Sequence, residues 1–289
     1  MSDMGRKRSV PDLPVLGAGR TAFVYDMGGG KVLKLFEASI QPETVRQEFV
    51  LTQLAHENGI PAPGAYEIVQ YGGRYGIVMD RVCGRELETV IREQPGERHE
   101  LLSRFTDFVK KLHQVTIADE RMPDVRDESI SLAEQLDPSF CTKEEAKKIC
   151  AVFESIPPAD SFVHGDCHPG NVMIAEGNLQ CIDMTLCGKG HPVFDLLCMY
   201  SHYVFLPSFS TDAACISRFG MDKSEARAFY ESFLKAYFTM DEEADLSDIK
   251  EQIQRIHAAR ICLSTIVMPG AFPDEVLRQA KNRAAGSVV

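Results

Sequence analysis

The sequence lacks any lysine- or arginine-rich run beyond the short "RKR" at Arg6 to Arg8, and its 31 basic residues stand against 42 acidic ones, a formal net charge of −11. Holding a phosphate backbone needs a concentrated positive surface, so nucleic acid is excluded as a partner. No apolar run is long enough for a membrane helix: "VFDLLCMY", Val193 to Tyr200, is far short of the roughly 20 residues a bilayer requires. A signal-peptide pattern, an internal repeat and a low-complexity tract are also missing. The nine cysteines are odd in number and share no spacing. That argues against a disulfide framework and for a reduced, cytoplasmic protein. What is there is a 289-residue chain, 44% hydrophobic, long enough for one large domain or two lobes. Its acidity suits a cationic small molecule as well as plain solubility.

The first eighty residues read as strands and one helix. "VLGAGRTAFVYDMGGGKVLKLF" gives two short apolar runs around the turn Gly28-Gly29-Gly30, and "YEIVQYGGRYGIVMD" gives a second hairpin turning at Gly72-Gly73. Between them the pattern is helical over 42–57, opened by Pro42 and closed by Asn58-Gly59. Beyond residue 80 helices dominate, expected over 101–114, 143–154, 194–203, 224–238 and 246–268. Two short strands, 172–175 and 179–182, interrupt them around the turn 176–178. The expected layout is α+β: a small antiparallel-sheet lobe with one helix over residues 1–80 and a larger, mainly helical lobe over 81–289, joined by a hinge near 79–84.

The chemistry concentrates in "FVHGDCHPGNVMIAEGNLQCIDM", 162–184. A zinc site could draw on His164 and His168, but their spacing on a Pro/Gly loop is not that of a helical histidine pair, and no third ligand suggests itself. A nucleophilic Cys167 would need an oxyanion hole, and no nucleophile elbow is present. Cys181, Cys187 and Cys198 read as small buried apolar residues. Phosphoryl transfer needs a carboxylate for the acceptor's proton, and hard oxygen ligands to hold Mg²⁺ on the phosphates. Asp166 and Asn171 stand five apart, the separation of base and metal ligand in the kinase pattern H-R-D-x-x-x-x-N. Asp183 follows twelve residues after Asn171 at the end of an apolar strand. Phosphoryl transfer is the reading these residues favour.

Upstream, Gly17 and Gly19 in "LGAGRTAFVY" allow backbone N–H groups to approach a polyphosphate, although an ordinary hairpin turn accounts for them as well. Lys34 in "VLKLF" is either an edge-strand lysine facing water or a buried cation held between nucleotide phosphates and a helix carboxylate. Glu48 is the carboxylate of choice, because it shares a helix face with Val45, Leu51 and Ala55.

Taken together, "LGAGRTAFVY", "VLKLF", Glu48 with "IPAP", "VMDRVCGREL", "LHQV", "FVHGDCHPGNVMI" and "CIDMTLCGKGHPVFDLLCMY" resemble the aminoglycoside phosphotransferase and choline kinase-like family, which has the two-lobed protein-kinase-like fold. The resemblance implies a small-molecule phosphotransferase that moves the γ-phosphate of ATP, or alternatively GTP, to the hydroxyl of an aminoglycoside, amino alcohol or sugar, a cationic acceptor among them. It implies Asp166 as the base or substrate-orienting carboxylate, and Asn171 and Asp183 as Mg²⁺ ligands. It implies Lys34 on the phosphates, held by Glu48, and a hinge of Met79, Asp80 and Val82 beside the adenine. Asp195 would brace the catalytic loop from a helix and His164 would anchor it.

Several departures qualify this. Ala22 replaces the third loop glycine, Gly165 the arginine of the protein-kinase triplet and Met184-Thr185 the Phe-Gly, no "APE" follows, and His191 stands where the family has an aspartate. The first of these leaves a looser phosphate loop. The lost protein-kinase features favour a small-molecule acceptor over the rival readings of a protein kinase or a non-catalytic nucleotide-binding pseudokinase. Residues 117–160 read as a polar, acidic insertion. Its Asp137, Glu144, Glu145 and Asp160 could hold an amine or simply form a solvated face.

Overall fold

A computed structural model describes residues 13–19 and 21–286; the basic run at Arg6 to Arg8 and the loop residue Arg20 lie outside them. The chain forms two compact units. One contains the described residues up to Glu86 together with Gly170–Leu186; the other contains Leu87–Pro169 and the chain from Cys187 on. Among the described residues no helix is long and apolar enough to cross a membrane, and none of the nine cysteines is in a disulfide.

The first unit is built on β1 (Val15–Ala18), β2 (Ala22–Gly28), β3 (Lys31–Phe36), α1 (Pro42–Glu57), β4 (Ala65–Tyr71), β5 (Arg74–Asp80) and the short β6 (Arg85–Glu86). The first five strands make an antiparallel sheet in the order β1-β2-β3-β5-β4. The stretch read as two strands around Gly28-Gly29-Gly30 thus holds three, because "VLGA" pairs back on β2. All three turn glycines have positive φ, between 62° and 74°, which any other residue adopts at a cost.

The central strand β3 shows why both faces of this sheet are covered. Val32 and Phe36 join Ala22, Val45, Ala65, Ile77 and Met79 in one apolar cluster, while Leu33 and Leu35 join Tyr25, Tyr71 and Val78 in another. Each Val, Leu, Ile, Phe or Met among them, taken out of water, contributes roughly 1.5–3 kcal/mol. The period of two puts Lys34 between Val32 and Phe36, on the face that α1 covers with Val45. The helix begins at Pro42, whose missing N–H costs nothing in a first turn, and stops where Gly59 takes φ 77°. Its inward face is Val45, Glu48, Leu51, Thr52, Leu54 and Ala55.

The chain next enters the second unit with α2 (Leu87–Glu93), α3 (Arg98–Gln114), α4 (Val125–Glu134), α5 (Lys143–Glu154) and β7 (Ser161–Val163). It returns to the first unit as a hairpin of β8 (Val172–Ala175) and β9 (Asn178–Cys181), turning on Glu176 and Gly177, both at positive φ. This hairpin belongs to the first unit because β8 pairs with β6 and Cys181 N–H donates to the Pro61 carbonyl at 2.7 Å. Gly84 is the pivot of that junction. It has φ 109°, and a Cβ there would run into the Ile174 carbonyl and stand 2.8 Å from the Ala175 Cβ. Gly84→Ala is therefore expected to carry strain of about 1–3 kcal/mol before Ile174 is displaced at all. That corresponds to a Tm lower by roughly 2–5 °C. A circular-dichroism melt within a degree of wild type would show that the junction yields freely.

The rest of the second unit is β10 (Gly188–Gly190), paired with β7, then α6 (Val193–Tyr200), α7 (Leu206–Ser208), α8 (Asp212–Phe219), α9 (Lys223–Phe238), α10 (Ser247–Val267) and α11 (Asp274–Ala285). α6 is buried on all sides from Val193 to Met199, apolar except for the carboxylate of Asp195. Where a helix to residue 203 is expected, the chain instead widens after Tyr200 into a π turn, Ser201–Phe205. α3 packs on α9, with Phe105 and Phe233 rings 5.9 Å apart.

The segment 117–160 is less solvated than its composition suggests. It contains α4 and α5 and buries Ile117, Met122, Ala133, Leu136, Ile149, Val152 and Phe153. Three of the four acidic residues singled out there have structural partners, and Glu144 is exposed. Glu145 completes a capping box with Thr142 and meets Lys281 at 3.3 Å, Asp137 accepts from the Ser139 amide, and Asp160 lies 3.5 Å from Lys189.

Candidate active site

In the first unit, Lys34 Nζ donates to Glu48 Oε1 at 2.6 Å and lies 3.3 Å from Asp183 Oδ1. The lysine side chain is 15% exposed, that of Glu48 3% and that of Asp183 46%. Of the two readings of Lys34, the structure therefore gives the buried one, with the helix carboxylate that the face of α1 selects. Burial pulls the Lys34 ammonium down, but Glu48 and Asp183 outweigh it and raise its pKa above the ordinary value. Thr185, marked in the sequence only as half of the pair that replaces Phe-Gly, lies within hydrogen-bond distance of both carboxylates, 2.9 Å from Glu48 Oε2 and 2.7 Å from Asp183 Oδ1.

The β8–β9 hairpin brings Asn171 and Asp183 to one end. Register pairs Val172 with Cys181, so Asn171 and Ile182 flank the open end, where Ile182 N–H donates to the Asn171 carbonyl at 3.0 Å. Asp183 follows directly with φ 61°, a left-handed conformation that a non-glycine residue holds at a cost and that concentrates at functional sites. A carboxylate and an amide oxygen are hard donors of the kind Mg²⁺ takes together with water and phosphate oxygens, so this donor set fits that ion.

Gly17 and Gly19 are exposed, Gly17 paired with Val24 and Gly19 donating its N–H to the Ala22 carbonyl at 2.8 Å. Packing does not demand glycine at either place: a Cβ at Gly17 would meet nothing within 4 Å, and one at Gly19 only an ordinary contact at 3.5 Å. At the end of β5, Met79 is buried in the α1-side cluster. The Asp80 carboxylate is turned to its own sheet, accepting from Tyr66 Oη at 2.6 Å and Gly64 N at 3.0 Å. The Asp80 and Arg81 amides are engaged by the Gly64 and Gly30 carbonyls, while Val82 is half-buried.

In the second unit, β7 delivers His164, Gly165 and Asp166. His164 is buried, and its Nδ1 accepts from the Asp166 amide at 3.3 Å. Asp195, near the start of α6, accepts from His164 N at 2.9 Å and from Gly165 N at 2.7 Å. His113 of α3 holds the same carboxylate at 3.0 Å and meets Tyr237 Oη at 2.8 Å. From α10, Arg260 Nη2 donates to the Gly165 carbonyl at 2.7 Å. Asp166 is thereby carried on a loop fixed from three helices, with its own side chain 49% exposed. His191 makes a local anchor of its own: its Nδ1 accepts from the Val193 amide at 3.2 Å. Burial lowers the pKa of that ring, which keeps the lone pair available for the bond. Cys167 is 1% exposed, which removes it as a nucleophile.

Burial alone would push the Asp195 carboxyl up; the His113 bond and charge and the His164 amide hold it below the ordinary range. The sign follows: its contribution to stability is present above the unfolded carboxyl pKa near 4 and is lost as pH falls through the lower folded value. Asp195→Ala leaves two buried amides and His113 without their acceptor. It is expected to cost about 3–5 kcal/mol. Urea unfolding checks this, and a midpoint like that of wild type would mean the loop is fixed by other means.

The model of a phosphotransferase enzyme family matches residues 14–246. No curated protein matches the sequence. Among solved structures, the aminoglycoside phosphotransferase APH(4)-Ia, as a thermostable mutant with ADP and hygromycin B, aligns over 96% of this chain and 95% of its own, at TM-score 0.60 and 14% identity. The streptomycin–ATP complex of APH(2'')-IIa aligns over 96% and 92%, at 0.57 and 17%. A choline/ethanolamine kinase family protein from Mesorhizobium loti aligns over 96% and 87%, at 0.53 and 14%. The fold is thus kinase-like, an antiparallel-sheet N-terminal region followed by a mainly helical one.

Proposed function

Because the chain belongs to the phosphotransferase enzyme family, we propose that it transfers the γ-phosphate of ATP to the hydroxyl of a small, hydroxyl-bearing acceptor, with GTP as an alternative donor. The observation that carries this reading is Lys34, a buried ammonium gripped by Glu48 and Asp183 in the first unit. A cation so enclosed, beside a strained and half-exposed carboxylate, is an arrangement for an anionic ligand rather than for stability alone.

The roles follow from the chemistry of each group. Lys34 binds the nucleotide phosphates and Glu48 fixes its position. Gly17 and Gly19, which packing leaves unexplained, let the backbone cover the phosphates. Met79, Asp80 and Val82 border the adenine. With the Asp80 and Arg81 amides already engaged, Val82 is the hinge residue assigned as donor. Asn171 and Asp183 would hold Mg²⁺, which when bound neutralises charge on the phosphates. Asp166 receives the proton of the acceptor hydroxyl as its oxygen bonds to phosphorus and the bond to the departing ADP breaks. The relatives solved with hygromycin B, streptomycin or gentamicin bind hydroxyl-bearing cations, and the net charge of −11 suits an acceptor of that kind.

The test is acceptor-dependent ADP release with Mg-ATP across aminoglycosides, amino alcohols and sugars. At least one class is expected to raise the rate well above hydrolysis by water. A flat response across all three, with ATP still bound, would replace transfer by nucleotide binding alone.

A further inference from the structure

Glu88 of α2, His168 of the catalytic loop and His202 of the π turn meet inside the second unit. Glu88 is 8% exposed and His202 4%. The two imidazoles lie face to face, centroids 3.8 Å apart and planes within 13°. At one end of the stack His202 Nε2 shares a short hydrogen bond with Glu88 Oε1, which also accepts from Tyr203 Oη at 3.4 Å. At the other end His168 Nε2 is 3.8 Å from Asp166 Oδ1. His202 and Tyr203 are both buried in the π turn, a rare geometry that recurs at functional sites.

Two histidines and a carboxylate also make a metal-ligand set, their donor atoms all within 4.8 Å of one another. The ring geometry argues against that use. A metal about 2.0–2.1 Å from an imidazole nitrogen lies in the plane of that ring, and stacked, nearly parallel rings share no such point. The surroundings argue the same way, since Arg92 and Arg218 face Glu88 and Arg218 also faces His202. The groups facing His168 are His202, Asp166, Glu88 and His164.

We infer that Glu88, His202 and His168 form a buried brace that positions Asp166 for proton transfer, an inference that rests on Asp166 being the base. Burial pulls both imidazoles down to about 3, so the stack is neutral at pH 7. It can therefore orient the carboxylate without the ion pair that would reduce its basicity. His202 and Glu88 act through His168 and are positioning residues.

The experiment uses the full chain, Mg-ATP and the best acceptor of the panel. His202→Leu, which breaks the stack, and Glu88→Gln, which weakens its far end, are compared with His202→Gln, which returns an amide N–H near the Nε2 position. A misplaced base lowers kcat by up to about 10²-fold. The expected result is such a fall for His202→Leu, a smaller one for Glu88→Gln, KM for ATP within about twofold, and substantial recovery in His202→Gln. The ¹³C signal of the Asp166 carboxyl should shift in the first two variants. If His202→Leu does not fold, Glu88→Gln with the carboxyl signal carries the test. Wild-type kcat and an unmoved signal in folded variants would overturn the brace. So would a stoichiometric transition metal in the purified chain that is lost in His202→Leu. Should Asp166→Asn itself turn over normally, the failure lies with the base assignment; with Asp166→Asn inactive and the brace variants fully active, it lies with the brace.

Discussion

Asp166→Asn is expected to lower phosphate transfer by at least about a hundredfold and to leave Mg-ATP affinity within a few-fold of wild type. The loop that presents Asp166 is held through its backbone: Asp195 takes the His164 and Gly165 amides and Arg260 the Gly165 carbonyl. The amide is isosteric, so the loop keeps its course. What disappears is the ability to accept a proton as the acceptor oxygen bonds to phosphorus. Steady-state kinetics with calorimetric titration of Mg-ATP separates the two quantities. Normal turnover in this variant removes Asp166 from the mechanism, and lost ATP binding moves it among the nucleotide contacts.

Lys34→Met is expected to impair both nucleotide binding and turnover. Methionine fills the space between Val32 and Phe36 but leaves the Glu48 carboxylate, 3% exposed, facing no cation. Removing one partner of a buried pair typically costs about 3–5 kcal/mol, where an exposed pair is worth roughly 0–1. Part of that cost is relieved by protonation of Glu48, whose pKa burial already raises. Lys34→Met should therefore be relatively more stable at mildly acidic pH than at pH 8. Glu48→Gln keeps the cation and a hydrogen-bonding oxygen and should show a milder form of the same defect. Thermal shift with and without Mg-ATP, across that pH range, reads stability and binding, and ADP release reads turnover. A Lys34→Met protein bound and stabilised by Mg-ATP like wild type would mean that Lys34 is not the phosphate anchor.

The pairing of Lys34 with Glu48 was legible because two simple periods meet there. Alternation along β3 turns Lys34 to the face that α1 covers, and the helical repeat turns Glu48 toward that face. The glycine turns and the short hairpin around Asp183 were legible for similar local reasons. Short helices with small or polar buried residues were not. α2 has only seven residues, α4 buries Ser129 and Ala133, and α11 is held through Val276, Ala280, Ala284 and Ala285. Their apolar stripes are too thin to stand out from a polar segment. Arg260 and the Glu88–His202 pair escape for another reason, since each meets the 164–168 loop from far away in sequence. "LHQV" did mark His113, but nothing in it announces the Asp195 carboxylate as its partner.

The passage of the chain between units has a practical meaning for anyone dissecting the protein. The backbone crosses from one unit to the other three times, at Glu86/Leu87, Pro169/Gly170 and Leu186/Cys187, and the second crossing falls inside "HGDCHPGN". No single cut yields either unit whole. A fragment ending at Glu86 would leave β6 without its β8 partner and the Pro61 carbonyl without the Cys181 amide. A self-sufficient version of the first unit would need Glu86 spliced to Gly170 through a short linker. Asp166 and Asn171, neighbours in sequence, would then be on different polypeptides, and mixing the two products would ask whether catalysis survives the loss of the covalent thread between them.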